Sequence, residues 1–183
     1  MTELDQAFQS TLAILTKVEP GQLEAPTPCA SWDVRALINH FVGSARWWAV
    51  TVAGEGEAAD ADYTSGDFVA AYEESIQLAV AAFDTHGVLD KIVTLPFGEF
   101  PGAALMGHCT TEQFTHGWDL ARAIGHHTDL APALAAALLT QSRDAIGDAF
   151  RGPDGQAFFG PAREAPANAG PADQLAAFLG RPV

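Results

Sequence analysis

The chain has 183 residues and is strongly acidic: 23 acidic side chains stand against 9 basic ones, and the formal net charge is −14. We therefore expect no binding to nucleic acid or to anionic membranes, because that requires clustered Lys and Arg. The length predicts one domain over residues 1–183, and no apolar stretch is long enough to span a bilayer. The N-terminus lacks the basic segment of a secretory signal, and the two cysteines suit a reducing compartment. We expect a cytoplasmic protein.

Helical periodicity dominates the first third of the chain. Apolar residues recur every three or four positions from Leu4 onward, which predicts an amphipathic helix that stops at Pro20. After a proline-containing connector, a second helix is predicted to start at Ser31, as its N-cap, and to run to about Val52. The acidic, glycine-containing segment AGEGEAADADYTSG, residues 53–66, predicts a long crossover loop.

The remaining elements follow at similar intervals. A third helix is predicted over residues 67–85, where an apolar stripe repeats at helical spacing. The segment KIVTLPFGEFPG, residues 91–102, alternates weakly and contains two prolines, so it predicts a strand or an irregular arm. Two more long helices are predicted over residues 103–124 and 132–150, and a Gly/Pro-rich tail leads into a last short helix at residues 172–180.

Four long helices with one long crossover predict an all-α fold of the four-helix-bundle type. A short β or irregular arm precedes the fourth helix, and extra helices follow at the C-terminus. Bundles of this kind place metal sites in their cores, from side chains on facing helices. Metal-ligating residues at helical spacing are therefore the features that bear on function.

The stretch TTEQFTHGWDL, residues 110–120, places an acid and an imidazole on one face of the fourth predicted helix. Glu112 and His116 are four residues apart, which is about one helical turn. Such a pair can ligate one divalent metal, but a closed site needs a third ligand. His40, in the apolar stripe of the second helix, is the candidate, and the resulting three-ligand set would leave open positions for chemistry.

Weaker candidates surround these three ligands. Trp47, one heptad after His40, would give the pocket an aromatic wall. Asp119 would accept a hydrogen bond from an imidazole N–H of a metal ligand, or it would pair with Arg122 or Arg35 instead. These two interpretations of Asp119 stay open at this stage.

Other side chains near the two motifs have structural interpretations as well as functional ones. His108 could approach the pocket, but it also suits a surface position at the start of its helix. Cys109 could reach the same pocket, but it also suits a small buried hydrophobe. Trp32 and Trp118 are interpreted as core fillers, and Cys29 as a structural thiol.

The residues alone leave three classes of function open. The first is a metal-dependent enzyme, which includes a hydrolase with metal-bound water. The second is a non-catalytic metal-binding module for storage, sensing or stress response. The third is a bundle without metal, in which Glu112 and His116 form a buried hydrogen-bonded pair.

Two segments resemble the mycothiol-dependent maleylpyruvate isomerase N-terminal family. TPCASWDVRALINHFVG is similar to the family's Thr-Pro-Cys-x-x-Trp-x-Val-x-x-Leu-x-x-His block, and PFGEFPGAAL followed by EQFTHGWDLARAIG resembles its second block. The ending DQLAAFLGR is similar to that of a compact branch of the family. The resemblance implies a DinB-like four-helix bundle whose metal is held by His40, Glu112 and His116. The metal is usually zinc, sometimes nickel or another divalent ion.

The same resemblance implies a low-molecular-weight thiol as cosubstrate, such as mycothiol or bacillithiol, with its sulfur activated by the metal. The partner would be a small-molecule electrophile or thiol. The isomerase itself has a second, C-terminal domain that helps to build its active site, and a chain of this length leaves no room for it. We therefore expect a thiol transferase or an isomerase-like enzyme, as a monomer or homodimer, rather than maleylpyruvate isomerisation itself.

Overall fold

The computed structural model describes residues 1–54, 56, 61–96, 98–153 and 156–183. Parts of the predicted crossover loop, the arm before the fourth helix and the C-terminal tail lie outside these described residues. The elements are α1 (Glu3–Leu15), α2 (Val34–Ala53), α3 (Phe68–Phe83), β1 (Ile92–Leu95), β2 (Gly98–Pro101), α4 (Gly102–Ala123), α5 (Pro132–Ala145) and α6 (Pro171–Phe178). The predicted all-α class is confirmed, and the arm is an antiparallel hairpin of β1 and β2.

The first four helices form the bundle. Helix α1 packs against α3 and α4, and α2 packs against the same two helices from the other side. Helices α5 and α6 pack on each other and reach α4. Across the described ranges, no helix combines the length and the apolar character that a bilayer span requires. Because α2 and α4 are neighbours, side chains on their facing surfaces can form one site.

The start of α2 differs from the prediction. Ser31 is not its N-cap: the carboxylate of Asp33 accepts the hydrogen bond from the N–H of Ala36 at 2.8 Å, and the helix begins at the next residue after Asp33. The delay has a local cause. The hydroxyl of Thr27 donates to the carbonyl of Trp32 at 2.8 Å and holds the preceding residues in a turn.

The end of α5 also differs from the prediction. The helix stops at Ala145, and not at Phe150, because Ile146 adopts an extended conformation with φ −102° and ψ 96°. Gly147 follows, and β-branched residues and glycine both favour helix less than alanine does. A single 3-10 turn then covers Asp148–Phe150.

Close contacts in the core fix the rotation of α4. A Cβ atom at Gly117 would lie 2.2 Å from Oγ1 of Thr11, so α1 approaches α4 where only glycine fits. One turn earlier, the buried amide of Gln113 donates to the carbonyl of Phe41 at 3.0 Å and to the hydroxyl of Ser44 at 2.9 Å. These bonds tie α4 to α2 at the level of the predicted metal ligands.

Candidate metal centre

The three predicted ligands come together between α2 and α4. Nε2 of His40 lies 3.1 Å from Oε1 of Glu112. The rings of His40 and His116 meet edge to face, with their centroids 4.8 Å apart. One ligand atom from each of the three residues lies within 4.8 Å of the others. Ligands about 2 Å from a tetrahedral metal are about 3.3 Å apart. The His40 and Glu112 atoms already have nearly this spacing, and the third donor lies within 4.8 Å of both.

The chemistry of the three donors suits a divalent metal. Two imidazoles and one carboxylate form the kind of three-ligand set that leaves a further coordination position open. The side chains of His40 and Glu112 are 34% and 23% exposed, whereas that of His116 is 8% exposed. The set is therefore accessible from the side of His40 and closed behind His116. On these grounds the residues present fit a metal ion.

Both oxygens of Glu112 are engaged by α2. Oε1 faces His40, and Oε2 accepts a short hydrogen bond from the indole N–H of Trp48, with the two atoms 2.5 Å apart. Burial opposes ionisation, but the His40 hydrogen bond and the nearby imidazoles outweigh it and lower the pKa of Glu112. Glu112 is therefore a carboxylate at neutral pH, as metal ligation requires.

His116 is oriented by a fully buried carboxylate. Nδ1 of His116 lies 3.0 Å from Oδ2 of Asp119. Burial of Asp119 opposes its ionisation, but the charge of Arg181 and the hydrogen bonds from Arg181 and His116 prevail and lower its pKa to about 2. An ionised carboxylate only accepts hydrogen bonds, so Nδ1 carries the proton. Nε2 of His116 then keeps its lone pair, which is the arrangement that a metal ligand needs.

The protonation state of His116 also favours its use as a metal ligand. Burial lowers the pKa of His116 more strongly than the hydrogen bond to Asp119 raises it. The imidazole is therefore neutral near pH 7, and its Nε2 is available as a ligand without prior loss of a proton.

A second group of possible ligands within the described residues shares His116 and adds Cys29 and Asp119. The guanidinium of Arg181 lies directly beside this second group. Arg181 donates to both oxygens of Asp119, from Nε at 3.2 Å and from Nη2 at 3.1 Å, and Nη2 lies 3.7 Å from Sγ of Cys29. Because a fixed positive charge there opposes a cation, the His40 group is the better candidate for a metal ion.

Comparison with known proteins agrees with the two sequence blocks. A family model described as the mycothiol maleylpyruvate isomerase N-terminal domain matches residues 4–121, more than half of the chain. The chain belongs to this family. The resemblance seen in the sequence is thus confirmed, and the match includes all three candidate ligands but ends before Arg181.

Two relatives of this family member match it over nearly the whole chain. Uncharacterized protein MT0763 of Mycobacterium tuberculosis strain CDC 1551 / Oshkosh is 39% identical over 182 residues, which cover 97% of this chain and 95% of the relative. Uncharacterized protein Rv0738 of strain H37Rv matches with the same identity and coverage. No solved structure matches the chain significantly.

Aromatic residues of this family member line the set of candidate ligands. The sequence predicted only some of these contacts. Trp32 packs against the core as predicted, but its ring also lies against both imidazoles, at centroid distances of 4.3 Å from His40 and 5.7 Å from His116. The sequence signal that could have indicated this contact is that Trp32 lies in the same family block as His40. Trp47, predicted as a pocket wall, is 38% exposed and packs edge to face on Trp48. Trp48 is the residue that contacts a ligand.

The other candidates on α4 lie outside the ligand groups identified in the described parts of the chain. His108 is exposed and meets Phe100 edge to face. Cys109 is fully buried, and burial together with the nearby charge of Glu112 raises the pKa of its thiol well above the usual range. Trp118 is buried, and its indole N–H donates to Asp173 at 2.8 Å.

The observed partners of Asp119 decide between its two sequence interpretations. The carboxylate contacts His116, Arg181 and the thiol of Cys29, not Arg122 or Arg35. Sequence reasoning missed the role of Arg181: the residue lies 62 positions after Asp119 and ends the segment DQLAAFLGR, which was noted only for its resemblance to the family.

Proposed function

We propose that the protein is a divalent-metal-dependent enzyme that uses a low-molecular-weight thiol of the mycothiol type, as a transferase or an isomerase-like enzyme. The observation that carries the proposal is the convergence of His40, Glu112 and His116 into a donor set that is open on one side. Membership of the mycothiol isomerase N-terminal family supports the choice of thiol. Two nitrogen donors and one oxygen donor support zinc as the metal.

Each residue has a distinct part in this proposal. His40, Glu112 and His116 would hold the ion, which when bound supplies a positive charge that keeps a coordinated thiol deprotonated at neutral pH. Trp48 fixes the carboxylate of Glu112, and the apolar face of Trp32 offers a surface for the organic part of the thiol or electrophile. The thiolate would form a bond to an electrophilic carbon of a small molecule as a π bond of that carbon opens, and the displaced electron pair would take up a proton from water.

The hydrolase alternative receives less support. Such an enzyme would need a general base for water, and Asp119 is the nearest acid outside the ligand set. That carboxylate is fully buried and occupied by His116 and Arg181. It is therefore poorly placed to accept a proton from a water molecule at the open coordination position.

The proposal is tested by asking whether a thiol binds at the metal. Purified protein is loaded with Co(II), and mycothiol is added while the absorption spectrum is recorded. We expect one metal per chain and a new sulfur-to-cobalt charge-transfer band. We expect both to be lost in His116→Ala and retained in His108→Ala, which removes an exposed histidine from the same helix.

Two outcomes would count against the proposal. Stoichiometric metal without any spectral response to mycothiol would indicate a metal-binding module rather than a thiol enzyme. Wild-type protein that folds but takes up no metal would favour the bundle in which Glu112 and His116 need no ion. Far-ultraviolet circular dichroism of each variant shows whether a loss reflects unfolding.

A further inference from the structure

The C-terminal turn directs Arg181 back into the molecule. Helix α6 ends at Phe178, and two residues later Gly180 has a φ of +94°, in the left-handed region that glycine favours. A Cβ atom there would lie 2.7 Å from Cα of Gly160, so the two backbones cross where no side chain fits. The N–H of Arg181 donates to the carbonyl of Ala176 at 2.9 Å, which closes the turn.

Two further bonds hold this turn in place. The indole N–H of Trp118 on α4 donates to Asp173 on α6 at 2.8 Å. The Nε–H of Arg163 donates to the carbonyl of Gly180 at 2.9 Å. The position of the Arg181 backbone is therefore held by bonds that do not involve the Arg181 side chain.

What Arg181 reaches is the carboxylate behind a metal ligand. Its guanidinium contacts both oxygens of Asp119, at 3.2 Å and 3.1 Å. The side chain of Asp119 is fully buried, and that of Arg181 is 14% exposed. One of the two Asp119 oxygens, Oδ2, is also the acceptor for Nδ1 of His116 at 3.0 Å. The guanidinium thus holds both oxygens of the carboxylate, and Oδ2 also accepts from the imidazole and, at 3.4 Å, from the thiol of Cys29.

We propose that Arg181 is a positioning residue for the metal centre: by holding Asp119 through two hydrogen bonds, it fixes the orientation and tautomer of His116. The planar guanidinium fork matches both carboxylate oxygens, which restricts rotation of the carboxylate in a way that a single-point contact would not. The acceptor for Nδ1–H of His116 then stays in place, and Nε2 remains the metal donor. This inference rests on the proposed metal site.

Arg181 lies outside the part of the chain that the family model matches. In this chain the C-terminal segment therefore contributes to a site whose ligands all belong to the family region. A simpler alternative is that the ion pair only anchors α6 to α4. The two roles make different predictions: only a positioning residue would change the tautomer of His116 when its guanidinium is removed.

The test compares wild type with Arg181→Gln, Arg181→Lys and Arg163→Gln. The last variant is the matched control, because it removes a hydrogen bond to Gly180 in the same turn without touching Asp119. Zn(II) affinity is measured by competition with a chromophoric chelator. The tautomer of His116 in metal-free protein is read from long-range 1H–15N NMR spectra, with the signals assigned by means of His116→Gln.

We expect wild type and Arg163→Gln to bind Zn(II) equally and to show the Nδ1–H tautomer of His116. Arg181→Gln should bind about tenfold more weakly and populate both tautomers, since loss of an outer-shell partner typically reduces metal affinity about 10- to 100-fold. Arg181→Lys, which keeps the charge but not the fork, should lie between the two. If Arg181→Gln does not fold, Arg181→Lys decides by the same readouts.

The outcomes separate this inference from the proposed function. Wild type that binds no Zn(II) overturns the proposed function, and this inference with it. Normal binding by wild type, together with unchanged affinity and tautomer in the Arg181 variants, overturns the inference alone. Equal weakening in Arg163→Gln would show that the C-terminal turn only anchors α6.

Discussion

The indole nitrogen of Trp48 lies 2.5 Å from Oε2 of Glu112, so α2 fixes one oxygen of a ligand that α4 supplies. The other oxygen lies 3.1 Å from Nε2 of His40, also on α2. An ion held by both residues would replace this second contact, so the bond from Trp48 is the one that would orient the carboxylate both before and after an ion binds. Such preorganisation reduces the ordering that binding would otherwise require.

Replacing Trp48 tests this arrangement. We expect Trp48→Phe to weaken Zn(II) binding about tenfold, because the carboxylate of Glu112 loses a hydrogen-bond donor that restricts its rotation. The matched control is Trp47→Phe at the neighbouring, 38% exposed tryptophan, which should bind Zn(II) as wild type does. Both affinities are obtained by competition with a chromophoric chelator. Equal losses in the two variants would show that the hydrogen bond has no special role.

Asp119 should link stability to acid pH. Its pKa falls from about 3.8 to about 2 on folding, so the unfolded chain takes up a proton first as the pH drops. The contribution, about 2 kcal/mol, is fully present above about pH 4 and is lost progressively between about pH 4 and about pH 2. Urea unfolding of metal-free protein across this range should show that loss.

The corresponding control is Asp119→Asn, which cannot titrate. Its free energy of unfolding will be lower overall, because the buried Arg181 loses its ionic partner. The decline between about pH 4 and about pH 2 should be smaller than in wild type by the contribution of this one carboxyl. An identical decline in both proteins would contradict the assignment.

The approach of α1 to α4 gives a prediction about packing. A Cβ atom at Gly117 would lie 2.2 Å from Oγ1 and 3.1 Å from Cα of Thr11, so backbone as well as side chain must move. We expect Gly117→Ala to lower the free energy of unfolding by about 2 kcal/mol. Gly107→Ala, on the same helix with nothing within 4 Å, should instead raise it by about 0.5 kcal/mol.

Urea unfolding curves measure both glycine variants. A result in which Gly117→Ala is as stable as Gly107→Ala would show that α1 can move aside at little cost. The close approach would then not fix the rotation of α4, and the placement of Glu112 and His116 would need another explanation.

Local pattern was enough to predict most of the elements and a set of candidate ligands that the structure brings together. Glu112 and His116 lie one turn apart on a helix, and such spacing fixes a shared face whatever the rest of the chain does. His40 could be proposed because it lies in an apolar stripe that had to face the bundle core. The errors in helix bounds, at Ser31 and Ile146, arose where a turn or a backbone conformation overrode local preference.

Contacts that depend on how helices cross were not accessible from the sequence. Helical spacing places Trp47 on the same face as His40, whereas Trp48 lies about 80° around the helix from it. Which of the two tryptophans reaches Glu112 is decided by the position of α4 beside α2. The contact of Arg181 with Asp119 further requires α6 to pack and the chain to turn at Gly180, and no short motif encodes that.

The central claim is that His40, Glu112 and His116 bind one divalent metal. Crystals of zinc-loaded protein, with diffraction recorded on both sides of the zinc absorption edge, test it most directly. The account predicts one anomalous peak, about 2 Å from Nε2 of His40, an oxygen of Glu112 and Nε2 of His116. A peak beside Cys29 and Asp119 instead, or none between α2 and α4, would contradict it.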